Sequence, residues 1–479
     1  MKAYTKQYIA GKWREGSGNS VLTNHNPYTG KELYSYRSAS AGDIDEAYTA
    51  AAKAQKEWAK TPPGQKRAAL ETLLKTFVDA IPDVYACLLE EDGAVKPKAD
   101  LEVFVCQDII REAMAFPLMM DGKIIPSNMP GKENYVFRMP RGVVGTIAPW
   151  NFPFILTMRS VVPALATGNG VVLKPSSDSP GSAFCIAEII EKSGAFPPGL
   201  FNAVAGKGSE IGDSMVSHPI PRIISFTGST AVGKHIGEVA GSRLKDVSLE
   251  LGGNNAMIVL ADADINRAAK AAAFGANFNA GQVCMALNRI IVLHSVYDRF
   301  VEAFAEDAKR LKAGDPANPD VFIGPIINGE QVKSVQGFIE GSIKAGARVA
   351  LEGKTEGNVI FPWIFADASN DMPASCNEVF GPVCSVIKAK TDAEAIAIAN
   401  DTEYGLSGSI FTEDRFHGLA LAREIDTGMV HINDQSINDE SQVMFGGVKA
   451  SGTGRFNAQW VVDKFTTDHW ISIQREHRF

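Results

Sequence analysis

The chain has no run of about 18 consecutive apolar residues, the least that a membrane-crossing helix needs, and its opening MKAYTKQYIAGKWREG lacks the apolar stretch of a signal peptide. A soluble, cytoplasmic protein is expected. Cysteine is scarce, with thiols only at 87, 106, 185, 284, 376 and 384 and no CxxC pair. That excludes a disulfide scaffold, offers no metal-ligand spacing, and leaves mostly buried thiols of which at most one or two are chemically active. Long blocks of one charge sign are missing as well: 47 Lys and Arg against 55 Asp and Glu give a net charge of −8. A nucleic-acid partner, which calls for a basic stripe, is therefore not expected. Repeats and low-complexity tracts are also absent.

What is present is core-forming material. Of 479 residues, 45% are apolar and 21% charged, which excludes disorder, and at roughly 150 residues per domain the length allows about three. A helix is predicted after Ser40, where Ser-Ala-Gly-Asp forms a capping box and apolar residues recur from Ile44 to Trp58; Pro62-Pro63 ends it. From Gly142 to Gly253, short β-branched runs (143–147, 171–174, 201–204, 222–226, 247–251) alternate with helical stretches such as 182–192. This is the pattern of buried parallel strands in a doubly wound α/β sheet, which binds ligands at its carboxyl edge. A second α/β portion follows, with a helix over 263–274, strands over 289–293 and 383–388, and a helix opened by a Thr391–Glu394 capping box. The Gly-, Pro- and Asn-rich segment 122–141 reads as a hairpin reaching off the domain.

Three features point to a phosphate-bearing ligand. Gly206-Lys-Gly208-Ser-Glu-Ile-Gly212 has one residue too many for a dinucleotide fingerprint. Gly228-Ser229-Thr-Ala-Val-Gly233-Lys234-His235 follows a strand and opens a helix, but His235 stands where a P-loop needs a Mg²⁺-binding hydroxyl. An NTPase is thereby disfavoured; a helix N-terminus facing a pyrophosphate and a plain glycine turn both remain. Lys174, in Lys174-Pro-Ser-Ser177, is either a solvated charge or a donor to a ribose or phosphate on the same sheet edge.

Three residues carry chemistry. Cys284 lies among Asn277, Asn279, Gly281 and Gln282, small and polar neighbours that suit an accessible thiol. Glu250 interrupts an apolar strand end, where burial would raise its pKa toward that of a general base. Asn151, in PWNFP, is either a helix N-cap or, with the other two, an amide that stabilises an oxyanion.

With PWNFP (149–153), LKPSS (173–177), FTGSTAVG (226–233), LELGGNN (249–255), GQVC (281–284), EVFGP (378–382) and FGGVKASGTGR (445–455) in one order, the chain resembles the aldehyde dehydrogenase superfamily over nearly its whole length. The resemblance implies an α/β fold: a Rossmann-type cofactor domain (1–121 and 142–252), an α/β catalytic domain (253–455) and a small oligomerisation β-extension (122–141 and 456–479). It makes Cys284 the nucleophile, Glu250 the base and Asn151 the oxyanion donor together with the Cys284 backbone N–H. It also implies that Trp150, Lys174, Ser177, Gly208, Gly228, Ser229, Gly233 and Leu251 line an NAD or NADP site in which Glu378 and Phe380 hold the nicotinamide ribose. The implied reaction takes an aldehyde to a carboxylic acid through a thiohemiacetal and a thioester. A homodimer or homotetramer is implied too, with 465–473 joining the 122–141 hairpin in a shared sheet.

Two departures bear on specificity. Ser177 stands where many NAD-preferring relatives have glutamate, and losing a repulsion worth about 4 kcal/mol at roughly 4 Å should admit NADP as well as NAD. Phe456-Asn457 after Arg455, together with Met158-Arg159-Ser160-Val161 and the segments 433–435 and 438–440, resembles the benzaldehyde, vanillin and salicylaldehyde dehydrogenase branch. Phe152, Leu156, Arg159, Ile437 and Phe445 would then form an apolar slot for a flat ring. The alternatives are a carboxylate-bearing semialdehyde anchored by Arg159, an Arg159 engaged in an ordinary salt bridge, and a cofactor-free cysteine hydrolase, which the lack of a histidine in a motif with Cys284 disfavours.

Overall fold

The computed structural model describes residues 1–477; residues 478 and 479, the end of the expected oligomerisation tail, lie outside the described residues. The β-branched runs form strands Val143–Ile147, Gly170–Lys174, Phe201–Ala203, Ile223–Thr227 and Asp246–Glu250, each end within one residue of its predicted place. Val and Ile suit such strands because a branched β-carbon packs well on a pleated, buried surface. The five lie parallel, with Ile223–Thr227 and Gly170–Lys174 flanking Val143–Ile147. Strand order therefore reverses at Val143–Ile147, and a crevice opens above its carboxyl end and that of Ile223–Thr227. Antiparallel Gln7–Ile9 and Lys12–Arg14 extend the sheet beyond Phe201–Ala203.

The helix Ala41–Lys60 opens on the predicted capping box between Ser40 and Asp43 and stops at Thr61, before the proline pair. Pro153–Ala166, which crosses the first core, is buried along its entire length. Asn151 is not its N-cap: Phe152 holds that position, without a side-chain hydrogen bond.

A second seven-stranded sheet follows the order Arg348–Leu351, Trp363–Ala368, Val383–Ala389, Leu287–Leu293, Asn255–Val259, Ser407–Phe411, Met429–Ile432, parallel except at its first pair. The helix Ile265–Asn277 packs its alanine face into the core beneath this sheet. Only half of the expected box at Thr391 forms. The Thr391 hydroxyl accepts from the Glu394 N–H, but the Glu394 carboxylate reaches one residue further back, to the Lys390 N–H at 2.6 Å. Segment 122–141 is the expected hairpin, Lys123–Ile125 against Lys132–Pro140, and the tail strand Thr466–Gln474 pairs with Lys132–Pro140 from Thr466 opposite Pro140 to Gln474 opposite Lys132. No helix among the described residues is long and apolar enough to cross a membrane.

Candidate active site

Beyond the helix Ile265–Asn277, the residues Asn279, Ala280 and Gly281 take φ of 52°, 55° and 71°. Such left-handed backbone costs non-glycine residues roughly 1–2 kcal/mol each, and at Gly281 a β-carbon would lie 2.2 Å from the Gly381 carbonyl. Side-chain hydrogen bonds hold this reversal. The Gln282 amide donates to the carbonyls of Asn279 (3.1 Å) and Pro325 (3.2 Å) and accepts from the Ile327 N–H at 2.9 Å. Asn255 Nδ2 donates to the carbonyls of Cys284 and Ala286, both at 2.8 Å, while its Oδ1 accepts from the Ser407 N–H at 3.0 Å. Cys284 is thus pinned to the second sheet and remains partly exposed, whereas Cys87, Cys106, Cys185 and Cys384 are buried and Cys376 is exposed.

Glu250 ends the strand Asp246–Glu250 and is 1% exposed, with no hydrogen-bond partner on either carboxylate oxygen. Burial pushes it up to about 7, against the opposing pull of Arg159 and of the Cys284 thiol. Burial and the neighbouring Glu250 in turn push the Cys284 thiol well above its ordinary value. After Glu250 the chain passes between the two sheets through Gly252 and Gly253. A β-carbon on Gly252 would meet the Glu378 carboxylate at 2.3 Å, and one on Gly253 the Cys284 carbonyl at 2.3 Å. The Gly253 N–H donates to Glu378 at 3.0 Å, which only partly offsets the burial that raises Glu378 to about 8. Asn151, also buried, donates from Nδ2 to the Gln282 carbonyl at 3.1 Å, across the same gap.

Two cavities meet here. One of about 310 Å³ is lined by Asn151, Leu156, Glu250, Leu251, Cys284, Glu378 and Phe380. The other, of about 610 Å³, is lined by Lys174, Ser177 and Gly208 and runs along the crevice of the first sheet; Trp150, Gly228 and Ser229 border both. The larger cavity fits a dinucleotide. Gly208 begins the helix Gly208–Ser217 and Ser229 caps Thr230–Gly241, so two helix N-termini open into it. Lys174 is buried here rather than solvated, its ammonium bonded to the Pro175 carbonyl at 2.9 Å, and burial lowers it to about 8 despite Asp178.

Other expected site residues fall outside these two cavities. Gly233 is a packing position, where a β-carbon would meet Leu251 at 2.2 Å. Phe152 stacks on Phe278 at 6.3 Å, and Ile437 packs on the first core. Arg159, 4% exposed, is ion-paired to Asp439 and lies 4.1 Å over the Phe445 ring. The ordinary salt bridge is therefore the arrangement observed. Lys234 and His235 turn to the exposed carboxylates of Glu403 and Asp213, so the Gly228 loop has no phosphate-directed lysine.

The family model "Aldehyde dehydrogenase family" matches residues 13–471. The chain belongs to the aldehyde dehydrogenase family. A vanillin dehydrogenase of Corynebacterium glutamicum is 47% identical over 98% of both chains. A benzaldehyde dehydrogenase of Bacillus subtilis is 48% identical over 99% of this chain and 98% of its own. The crystal structure of an NAD-dependent benzaldehyde dehydrogenase from Corynebacterium glutamicum superposes with a TM-score of 0.90 at 44% identity, covering 98% of both chains. The NTPase and the cofactor-free hydrolase are thereby set aside, and no histidine lines the cavity of Cys284.

Sequence reasoning missed part of this dehydrogenase's site. Gln331, Ser334 and Phe338, on the helix Gly329–Lys344, complete the smaller cavity. They lie beside the buried face formed by Val332, Val335 and Ile339, with Ser334 exposed, and their helical spacing says nothing about what they face. Asn255 was legible only as part of the LELGGNN motif; its hold on the nucleophile segment comes from pairing across the second sheet.

Proposed function

We propose that this aldehyde dehydrogenase oxidises aromatic aldehydes of the benzaldehyde and vanillin type to their acids, with Cys284 as nucleophile, Glu250 as base and Asn151 as oxyanion donor. The observation that carries the reading is one cavity onto which Cys284, an unpaired buried Glu250 and Asn151 all open, continuous with a groove that fits a dinucleotide. Glu250 accepts the thiol proton, and Sγ bonds to the carbonyl carbon while the carbonyl electron pair moves onto oxygen. Asn151 Nδ2 and the Cys284 backbone N–H stabilise that oxyanion. When bound, a nicotinamide supplies the hydride acceptor that turns the sulfur adduct into a thioester. Glu250 then releases the first proton to solvent and takes a second from water as it adds to the thioester; the C–S bond breaks, the acid leaves, and the Cys284 thiolate recovers that proton from Glu250.

Gly208 and Ser229 at their helix ends would face the pyrophosphate and Lys174 a ribose hydroxyl, with Trp150, Gly228, Leu251, Glu378 and Phe380 around the nicotinamide half. Ser177 presents no carboxylate to a 2′-phosphate, which favours acceptance of NADP beside NAD. In the smaller cavity Leu156, Phe338 and Phe380 offer apolar walls, its charged groups are Glu250 and Glu378, and neither lysine nor arginine lines it. A carboxylate-bearing semialdehyde would meet no free cation there, since Arg159 is engaged by Asp439. We assign the three-stranded sheet to contact with a partner subunit in a homodimer or homotetramer, because apolar side chains on both of its outer strands are exposed, Ile124 at 77% on one and Trp470, Ile471 and Ile473 at 61%, 43% and 48% on the other.

Steady-state kinetics with NAD and with NADP test both choices. Benzaldehyde or vanillin is expected to exceed succinate semialdehyde in kcat/KM, with turnover on either cofactor. Preference for the semialdehyde would overturn the substrate assignment, and strict NAD selectivity the cofactor one.

A further inference from the structure

The helix Pro153–Ala166 starts two residues after Asn151, and its first turn is not capped from within. Phe152 contributes no side-chain bond, and Pro153 has no N–H. Both following amides, Phe154 N–H at 2.9 Å and Ile155 N–H at 3.1 Å, donate to one carboxylate oxygen of Glu102. Glu102 belongs to another helix, Lys96–Ala113, and is 0% exposed. A carboxylate so placed satisfies two orphan donors and opposes the positive end of the helix dipole.

Glu102 is itself held. Lys98, one turn earlier and equally buried, puts its ammonium 2.5 Å from the other Glu102 oxygen, 3.4 Å from Asp92 and 5.3 Å from the centre of the Phe152 ring. Burial pushes Asp92 well up, against the opposing pull of Lys98. From the opposite side, Asn279 Nδ2 donates to the Asn151 carbonyl at 3.2 Å. Asn151 is thus bracketed between the turn that delivers Cys284 and the helix end that Glu102 ties down.

We propose that Glu102, fixed by Lys98, is a positioning residue of the reaction: it anchors the first turn of Pro153–Ala166 and through it aims the Asn151 amide at the oxyanion. This rests on Asn151 being the oxyanion donor. Misplacing a transition-state donor lowers kcat while leaving ground-state binding nearly intact. A general packing defect would instead act regardless of what stands at position 151.

The test is a double-mutant cycle of Glu102→Gln with Asn151→Ala, measured on benzaldehyde and NAD. Glu102→Gln alone is expected to lower kcat by roughly tenfold to a hundredfold, with the aldehyde KM and the NAD dissociation constant within about twofold of wild type. In the Asn151→Ala background the same change should cost less than about twofold, because the group it aims is gone. If Glu102→Gln does not fold, Lys98→Met/Glu102→Gln removes the buried pair as a unit, leaves no stranded charge at these two positions, and is expected to behave the same way. An unchanged kcat in Glu102→Gln, or a loss that persists in full without Asn151, overturns the Glu102 role alone. An Asn151→Ala variant with wild-type kcat overturns the oxyanion reading and this proposal with it.

Discussion

At the scale of single residues, burying an ionised carboxylate is costly, and burial pushes Glu250 up to about 7, where a base is most useful. The base must be deprotonated, so activity is present above this pKa and lost as pH falls through it. The pH profile of kcat/KM should show an acid limb near 7 that Glu250→Gln abolishes. A limb unchanged in the variant would remove Glu250 from the role. The burial of Glu250 was legible because the carboxylate interrupts an apolar strand. Lys174 was open to two readings, a solvated charge or a ribose or phosphate donor, and its burial was hidden because its cover comes from elsewhere in the fold. A salt bridge was one reading open for Arg159, but its partner was equally hidden, since Asp439 is far away in sequence and nothing local to Leu156 and Arg159 announces the pair.

At the scale of elements, periodicity placed the parallel strands and their crossover helices, and Ser40 with Asp43 placed the start of the first helix. Contacts between elements were not readable in the same way. Gly233 looked like part of a phosphate loop, yet its missing side chain makes room for Leu251. Gly452 shows the same logic in the 445–455 motif: it bridges to Glu250 across the edge of the first sheet, its φ is +134°, and a β-carbon there would sit 2.1 Å from the Leu249 carbonyl. Gly452→Ala should cost about 1–3 kcal/mol or more and displace the strand end carrying Glu250, so melting temperature and kcat fall together. Unchanged stability would show that the bridge is not a constraint.

At the scale of the whole molecule, two seven-stranded sheets meet where the chain runs from Glu250 to Asn255, so Glu250 at a strand end of the first sheet and Cys284 on the segment leading into the second face one cavity. The three-stranded extension leaves apolar side chains uncovered, which a monomer of 51.4 kDa would expose to water. Light scattering should give a mass of two or four chains, and Ile471→Lys with Ile473→Lys should reduce it to one; a wild-type monomer would refute the assembly. Cofactor-dependent oxidation through Cys284 is followed by absorbance at 340 nm on adding benzaldehyde and NAD while titrating the benzoic acid formed. One acid per reduced cofactor is predicted for the wild type, with no signal but intact NAD binding in Cys284→Ala. Equal rates in the two proteins, or acid formed without reduced cofactor, would contradict it.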